Sequence, residues 1–233
     1  AIPAVGYGTF RTADGTETEN AVRLALKAGF RHIDGAAAYG NEKSVGRAIQ
    51  KSGVMRKDLF ITSKVWNDDK GYQSTKNAFY RTLQDLQTDY LDLYLIHWPI
   101  PQPKHAQDWQ ADCQGKSGSL ATDQFGNLAG FGGLYRGGKI KAIGVSNFLP
   151  RHLEPLLAAA EIPPMVNQIE IHPGMLQQET VDFCHAHDIL VEAWAPFSNG
   201  QIFGNHVLQE IAGKYRKSVA QIALRWLVQK GIV

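Results

Sequence analysis

Seven short apolar runs, each followed by a stretch with helical patterning, constrain the fold of this chain more than any other feature. The runs are GYGTF (6–10), RHIDGA (31–36), LFITSK (59–64), LDLYLIH (91–97), KAIGVS (141–146), MVNQIE (165–170) and ILVEAW (189–194). Their Val, Ile, Leu and aromatic content suits strands buried on both faces. Between them, residues 16–28 open on Thr16 and Glu19 at capping-box spacing and stop at Gly29. Residues 41–52 have Asn41 as a cap and an apolar stripe of Val45, Ala48 and Ile49. Residues 74–87 align Phe79, Leu83 and Leu86, and helices are also predicted over 150–160, 176–187 and 206–215. The segment 218–230 opens on a second capping box, Ser218 with Gln221.

Strand–helix units in succession predict a parallel sheet covered by helices. Such a sheet either stays open and doubly wound or closes into a (β/α)8 barrel. The open sheet's usual nucleotide signature, G-x-G-x-x-G after the first strand, is absent, since GYGTF is not followed by a helix start at the right place. An α/β fold of the (β/α)8 TIM-barrel type is therefore expected, as a single domain over residues 1–233. Two features depart from a regular barrel. The segment 113–138 holds eight of the 23 glycines, and at roughly 1 kcal/mol lost per glycine a helix is disfavoured there. A long irregular loop is expected, with a short helical turn near Leu134 and Tyr135. The chain also stops at GIV, where an eighth strand should begin, so the barrel is expected to lack its last strand and C-terminal segment.

A net charge of +2 gives no strong attraction to nucleic acid or to a membrane surface. Cys113 and Cys184 are too few and too far apart for a disulfide framework. With no signal-peptide pattern and no apolar run long enough to span a bilayer, a cytoplasmic protein is expected.

In barrels of this type, reactive groups gather at the C-terminal ends of the strands. Polar residues at those ends are Asp34 with nearby Tyr39, Lys64, His97, Ser146 with Asn147, then Asn167, Gln168 and Glu170 on the sixth run, and Glu192 with Trp194 on the seventh. A buried lysine needs a partner, and Asp34 on the neighbouring strand is the natural one. Lys64 also offers its charge to Tyr39, which is expected to lower the phenol's pKa and make it a proton donor and acceptor. His97 is placed to hydrogen-bond a carbonyl oxygen. Singly, each residue has a structural explanation. Together, on consecutive strands at one face, they point to catalysis.

The stretches HIDGAAAYGNE, LFITSKVWN, LDLYLIHWP, IGVSNF, NQIEIHP and EAWAPF resemble, in order and over nearly the whole chain, the signatures of the aldo-keto reductase superfamily. That resemblance implies a (β/α)8 barrel that reduces aldehydes or ketones with NADPH or NADH, without a Rossmann domain. It implies Asp34, Tyr39, Lys64 and His97 as the catalytic tetrad. Ser146, Asn147 and Gln168 match the residues that bind the nicotinamide carboxamide, and Trp194 matches the aromatic residue under its ring. Asp34, Thr9 and Ser198, the last within SNGQIFGN (198–205), match further cofactor contacts. Phe10, Tyr39, Trp66, His97 and Trp98 match the substrate pocket. No metal, nucleic-acid or membrane partner is implied, and a monomer is expected. Gly35 departs from the Thr or Cys usual after the catalytic Asp, and the 113–138 segment departs from the family's substrate-side loop and helix. Two other readings stand beside this one: Schiff-base chemistry on Lys64, and a non-catalytic, cofactor-binding redox-sensing subunit of the same fold.

Overall fold

The computed structural model describes residues 1–69, 71–99 and 120–233, with the backbone alone for 120–123. Cys113 and the first part of the glycine-rich segment lie outside the described residues. The strands are β1 (Tyr7–Gly8), β2 (His32–Asp34), β3 (Phe60–Val65), β4 (Leu93–Ile96), β5 (Ile143–Ser146), β6 (Val166–Glu170) and β7 (Leu190–Trp194). Each pairs in parallel with the next, so sheet order equals chain order. The helices among the described residues are α1 (Thr16–Lys27), α2 (Glu42–Lys51), α3 (Tyr72–Leu86), α4 (Leu120–Arg136), α5 (Pro150–Ala159), α6 (Gln178–Ala186), α7 (His206–Tyr215) and α8 (Val219–Gln229). The result is the (β/α)8 architecture, with seven parallel strands forming a nearly closed barrel. Val233 runs beside β7, its carbonyl accepting from Ala193 N–H at 2.7 Å and its N–H donating to the Val191 carbonyl at 3.1 Å.

The side-chain period of two sorts the core. Leu93 and Leu95 of β4 join Val166 in one apolar cluster. The alternate residues, Tyr94 and Ile96, fall in the larger cluster shared with helix residues such as Phe79, Phe131 and Leu153. Among the described residues, no helix is long and apolar enough to cross a membrane.

The glycine-rich segment corrects the sequence expectation. Residues 120–136 form the helix α4 rather than a loop with one short turn. Leu128, Phe131 and Leu134 are buried on it, each contributing about 1.5–3 kcal/mol of burial, and together they offset the glycine penalty. The glycines serve close packing. A Cβ on Gly126 would lie 2.9 Å from Gly71 Cα, and one on Gly130 would lie 3.1 Å from the Tyr72 carbonyl oxygen, so α4 approaches α3 at a distance a larger residue would prevent.

The helix starts also differ in part from expectation. α1 begins at Thr16 itself, with Gly15 at the cap position, so Thr16 and Glu19 make no capping box. Asn41 occupies the cap position of α2, but its side chain caps nothing. Its amide donates instead to the carbonyls of Thr9 at 2.9 Å and Thr12 at 3.0 Å, tying the loop after β1 to the start of α2. The Ser218–Gln221 capping box of α8 forms as expected, with Gln221 N–H donating to Ser218 Oγ at 3.2 Å.

Candidate active site

Parallel register brings the strand ends to one mouth of the barrel. Asp34 closes β2 opposite Thr62, Lys64 lies two residues further along β3, and Ser146 closes β5 opposite Gln168. His97 follows the last residue of β4. Tyr39 ends a 3-10 turn over Ala37–Tyr39, which Gly40 terminates in the left-handed region at φ 69°.

Lys64 is only 1% exposed. Its ammonium donates to Asp34 Oδ1 at 2.6 Å, to the Gly35 carbonyl at 2.9 Å and to Tyr39 Oη at 3.5 Å, matching three protons to three acceptors. Burial works against the charge on Lys64, yet Asp34 and then Tyr39 favour it, and its pKa is raised from the ordinary lysine value. An ammonium held this firmly is a poor amine nucleophile, which disfavours the Schiff-base reading.

Tyr39 departs from the expectation that Lys64 would lower its pKa. Burial of the phenol dominates and Lys64 pulls the other way, leaving the pKa above its usual value of 10.0. Both the long 3.5 Å contact and the negative charge of Asp34 weaken the effect of the cation. His97 is pushed down to about 3, by burial first and then by Lys64, so it is a neutral imidazole at pH 7. Its ring meets Tyr39 edge-on with centroids 5.6 Å apart, and Trp66 edge-on at 5.0 Å.

On the opposite side, Gln168 Nε2 donates to Asp34 Oδ2 at 2.9 Å. Ser146 Oγ donates to the Gln168 carbonyl at 2.8 Å. Asn147, in the left-handed region at φ 66°, donates from Nδ2 to the His97 carbonyl at 3.0 Å and accepts from Trp194 Nε1 at 2.9 Å. A hydroxyl and two amides beside a flat indole offer the donor and acceptor types that a nicotinamide carboxamide and its ring require, so this donor set fits the cofactor.

A cavity of about 1350 Å³ opens over the site, lined among others by Phe10, Tyr39, Trp66, His97, Trp98 and Trp194, with Asp34, Ser146, Asn147 and Gln168 also in its wall. Phe10 leans on Tyr39 with ring centroids 5.0 Å apart. Two expected cofactor residues, Thr9 and Ser198, are not among the cavity's lining residues. Thr9 is fully buried and its hydroxyl donates to the Asp34 carbonyl at 3.0 Å, which makes it a support for the acid. Ser198 begins a 3-10 segment, Ser198–Gly204, whose Asn199 and Gly200 do line the cavity.

Sequence reasoning passes over His32 and leaves Glu192 without a role. Each sits two residues before a site residue on its strand, and so on the same face, which is the signal that points to them. His32 Nε2 lies 2.9 Å from Thr62 Oγ1 and 3.8 Å from Glu192 Oε1. Burial first, then Asp34, raises Glu192 to about 8, while burial lowers His32 to about 4. Both groups are therefore neutral at pH 7, beneath the Asp34–Lys64 pair.

A parallel barrel whose strand ends join a lysine–carboxylate pair to a tyrosine and a neutral histidine, beside an amide-rich wall, has the architecture of a barrel oxidoreductase acting on carbonyl groups. Comparison with known proteins narrows the class. The aldo/keto reductase family model matches residues 4–233. The glyoxal reductase of Bacillus subtilis is 49% identical over 232 residues, covering 100% of this chain and 77% of the relative. A crystal structure of an aldo/keto reductase from Brucella melitensis superposes with a TM-score of 0.88 at 44% identity, covering 100% of this chain and 82% of that one. A Bombyx mori aldo-keto reductase crystallised with NADP superposes at 0.85 with 34% identity, covering 100% and 78%. The chain belongs to the aldo/keto reductase family, and it is an oxidoreductase of carbonyl groups.

Proposed function

We propose that this protein reduces small aldehydes and ketones, 1,2-dicarbonyls such as glyoxal among them, to alcohols, with NADPH as cofactor and Tyr39 as proton donor. The observation that carries this reading is the buried Lys64 ammonium bridging Asp34 Oδ1 and Tyr39 Oη, two residues that line the cavity. The dicarbonyl class is suggested by the name of the Bacillus subtilis relative, and the cofactor by the NADP in the Bombyx mori structure.

NADPH, when bound, supplies the hydride that reaches the carbonyl carbon. Ser146, Asn147 and Gln168 would hold its carboxamide, and Trp194 would adjoin its ring. The chain's own residues handle the oxygen. Neutral His97 donates an N–H to the carbonyl oxygen, fixing the substrate and opposing the build-up of negative charge. Tyr39 gives its proton to that oxygen as the C–O π bond breaks, so the product leaves as a neutral alcohol. The phenolate left behind is stabilised by Lys64, whose charge Asp34 preserves, until a solvent proton restores the phenol. A raised pKa on Tyr39 suits this direction, since the phenol remains protonated until an alkoxide-like oxygen, a far stronger base, demands the proton.

The test is consumption of NADPH by the purified protein with glyoxal. Turnover supports the reading. Cofactor binding without turnover of any aldehyde or ketone would favour the redox-sensing subunit instead.

A further inference from the structure

α4 carries two polar residues, half-buried Gln124 and buried Asn127, whose side chains bond to residues that follow β4 and to the start of α3. Asn127 is 3% exposed. Its Oδ1 accepts from Gly71 N–H at 2.6 Å and lies 2.9 Å from Thr75 Oγ1. Gly71 and Thr75 form the start of α3, where the first turn's N–H groups have no partner within the helix, so Asn127 caps that helix from a different one. The same Thr75 hydroxyl lies 3.2 Å from the Asp69 carbonyl, and Asp69 N–H donates to the Trp66 carbonyl at 3.1 Å. One turn earlier on α4, Gln124 Nε2 donates to the carbonyl of Trp98 at 3.3 Å and to that of Pro99. Gln124 thus bonds directly to the Trp98 backbone, whereas Asn127 reaches the Trp66 segment only indirectly, through Thr75 and Asp69. The close approach allowed by Gly126, where a Cβ would meet Gly71 Cα at 2.9 Å, is what puts Asn127 within reach.

We propose that α4 is a specificity brace: Gln124 and Asn127 are positioning residues that hold Trp98 and Trp66, and so set how well the pocket accepts an aryl carbonyl relative to a small one. The proposal rests on the carbonyl-reducing reading above. A two-carbon dicarbonyl needs only Tyr39 and His97. An aryl aldehyde also needs two aromatic walls in fixed places, and their contribution is lost when the loops loosen. Trp66 is also in edge contact with His97, so the aromatic wall adjoins the group that would orient the carbonyl.

The experiment compares kcat/KM for glyoxal and for 4-nitrobenzaldehyde in the unaltered protein, Gln124→Ala, Asn127→Ala and Asn127→Asp, alongside acrylamide quenching of tryptophan fluorescence without cofactor. In both alanine variants the aryl aldehyde is expected to lose about tenfold and glyoxal less than about threefold, with the NADPH dissociation constant unchanged and quenching increased. Asn127→Asp keeps the acceptor and is expected to retain discrimination. Equal losses for both carbonyls, or unchanged quenching, would overturn the brace. If Asn127→Ala does not fold, Gln124→Ala decides by the same two readouts. If the unaltered protein reduces neither carbonyl, the functional reading fails, and the quenching comparison still decides whether α4 holds the tryptophan loops.

Discussion

Gln168 Nε2 donates to Asp34 Oδ2 at 2.9 Å, a contact between residues 134 positions apart. It joins the amide-rich wall to the acid that holds Lys64, so one side chain serves both halves of the site. Gln168→Leu should therefore weaken NADPH binding and also release one oxygen of Asp34. Losing a hydrogen bond to a charged group is worth about 1.5–3 kcal/mol. kcat is expected to fall roughly tenfold or more on that account, beyond the rise in the dissociation constant. A variant that saturates with cofactor and then turns over at the unaltered rate would separate the two halves.

The pH dependence follows from the direction of the Tyr39 shift. Its pKa lies above 10.0 in the site, so the phenol is protonated throughout the neutral range and the reduction rate should be flat from pH 6 to pH 9. The reverse reaction, alcohol oxidation, needs the phenolate as base, and its rate should rise with pH across the same range. Steady-state kcat in both directions checks this. A reduction rate that falls through neutrality would mean that a different group gives the proton.

Stability should change with pH on both sides of an optimum. His97 at about 3 and His32 at about 4 are depressed below the unfolded value of about 6.5. Their contribution is complete above about pH 6.5 and is lost as acid drives the pH through the folded values. Glu192, raised to about 8, has the opposite sign. Its contribution is complete below the unfolded carboxyl value of about 4.3 and is lost as pH rises through about 8. Glu192→Gln is therefore expected to lose less Tm than the unaltered protein between pH 5 and pH 9. Parallel Tm curves for the two would show that Glu192 is already ionised in the fold.

Gly35 has no steric reason to be glycine. A Cβ there would meet the Thr62 carbonyl and Thr9 Oγ1 at an ordinary 3.7 Å, and the residue is not in the left-handed region. Gly35→Ala should stabilise the protein by about 0.4–1 kcal/mol by restricting the unfolded chain. The Gly35 carbonyl that accepts from Lys64 is untouched, so activity should be retained. Urea unfolding and an NADPH assay measure the two effects.

The barrel and its strand ends were legible in the sequence because they depend on local pattern. Apolar runs marked β1 to β7, and strand ends marked Asp34, Lys64 and His97. What escaped depends on contacts between distant elements. The glycines of α4 read as helix breakers until Gly126 meets Gly71, the residue at the N-cap of α3. Thr9 resembles a cofactor residue in its motif, yet its hydroxyl is turned to the Asp34 carbonyl. The Asn41 amide, a helix cap by position, is spent on Thr9 and Thr12. The direction of the Tyr39 shift is not legible in the sequence because a neighbouring cation can be inferred from strand order, whereas the depth of burial that outweighs it cannot.

In the proposed reduction Tyr39, bonded by Lys64, gives the proton. Tyr39→Phe removes the hydroxyl and keeps the ring that packs on Phe10 and His97. The direct measurement is single-turnover reduction of glyoxal by the variant preloaded with NADPH, with cofactor binding followed by protein fluorescence. A rate lowered by about 10²–10⁴-fold with an unchanged NADPH dissociation constant is the expected result. A rate equal to that of the unaltered protein would contradict the account.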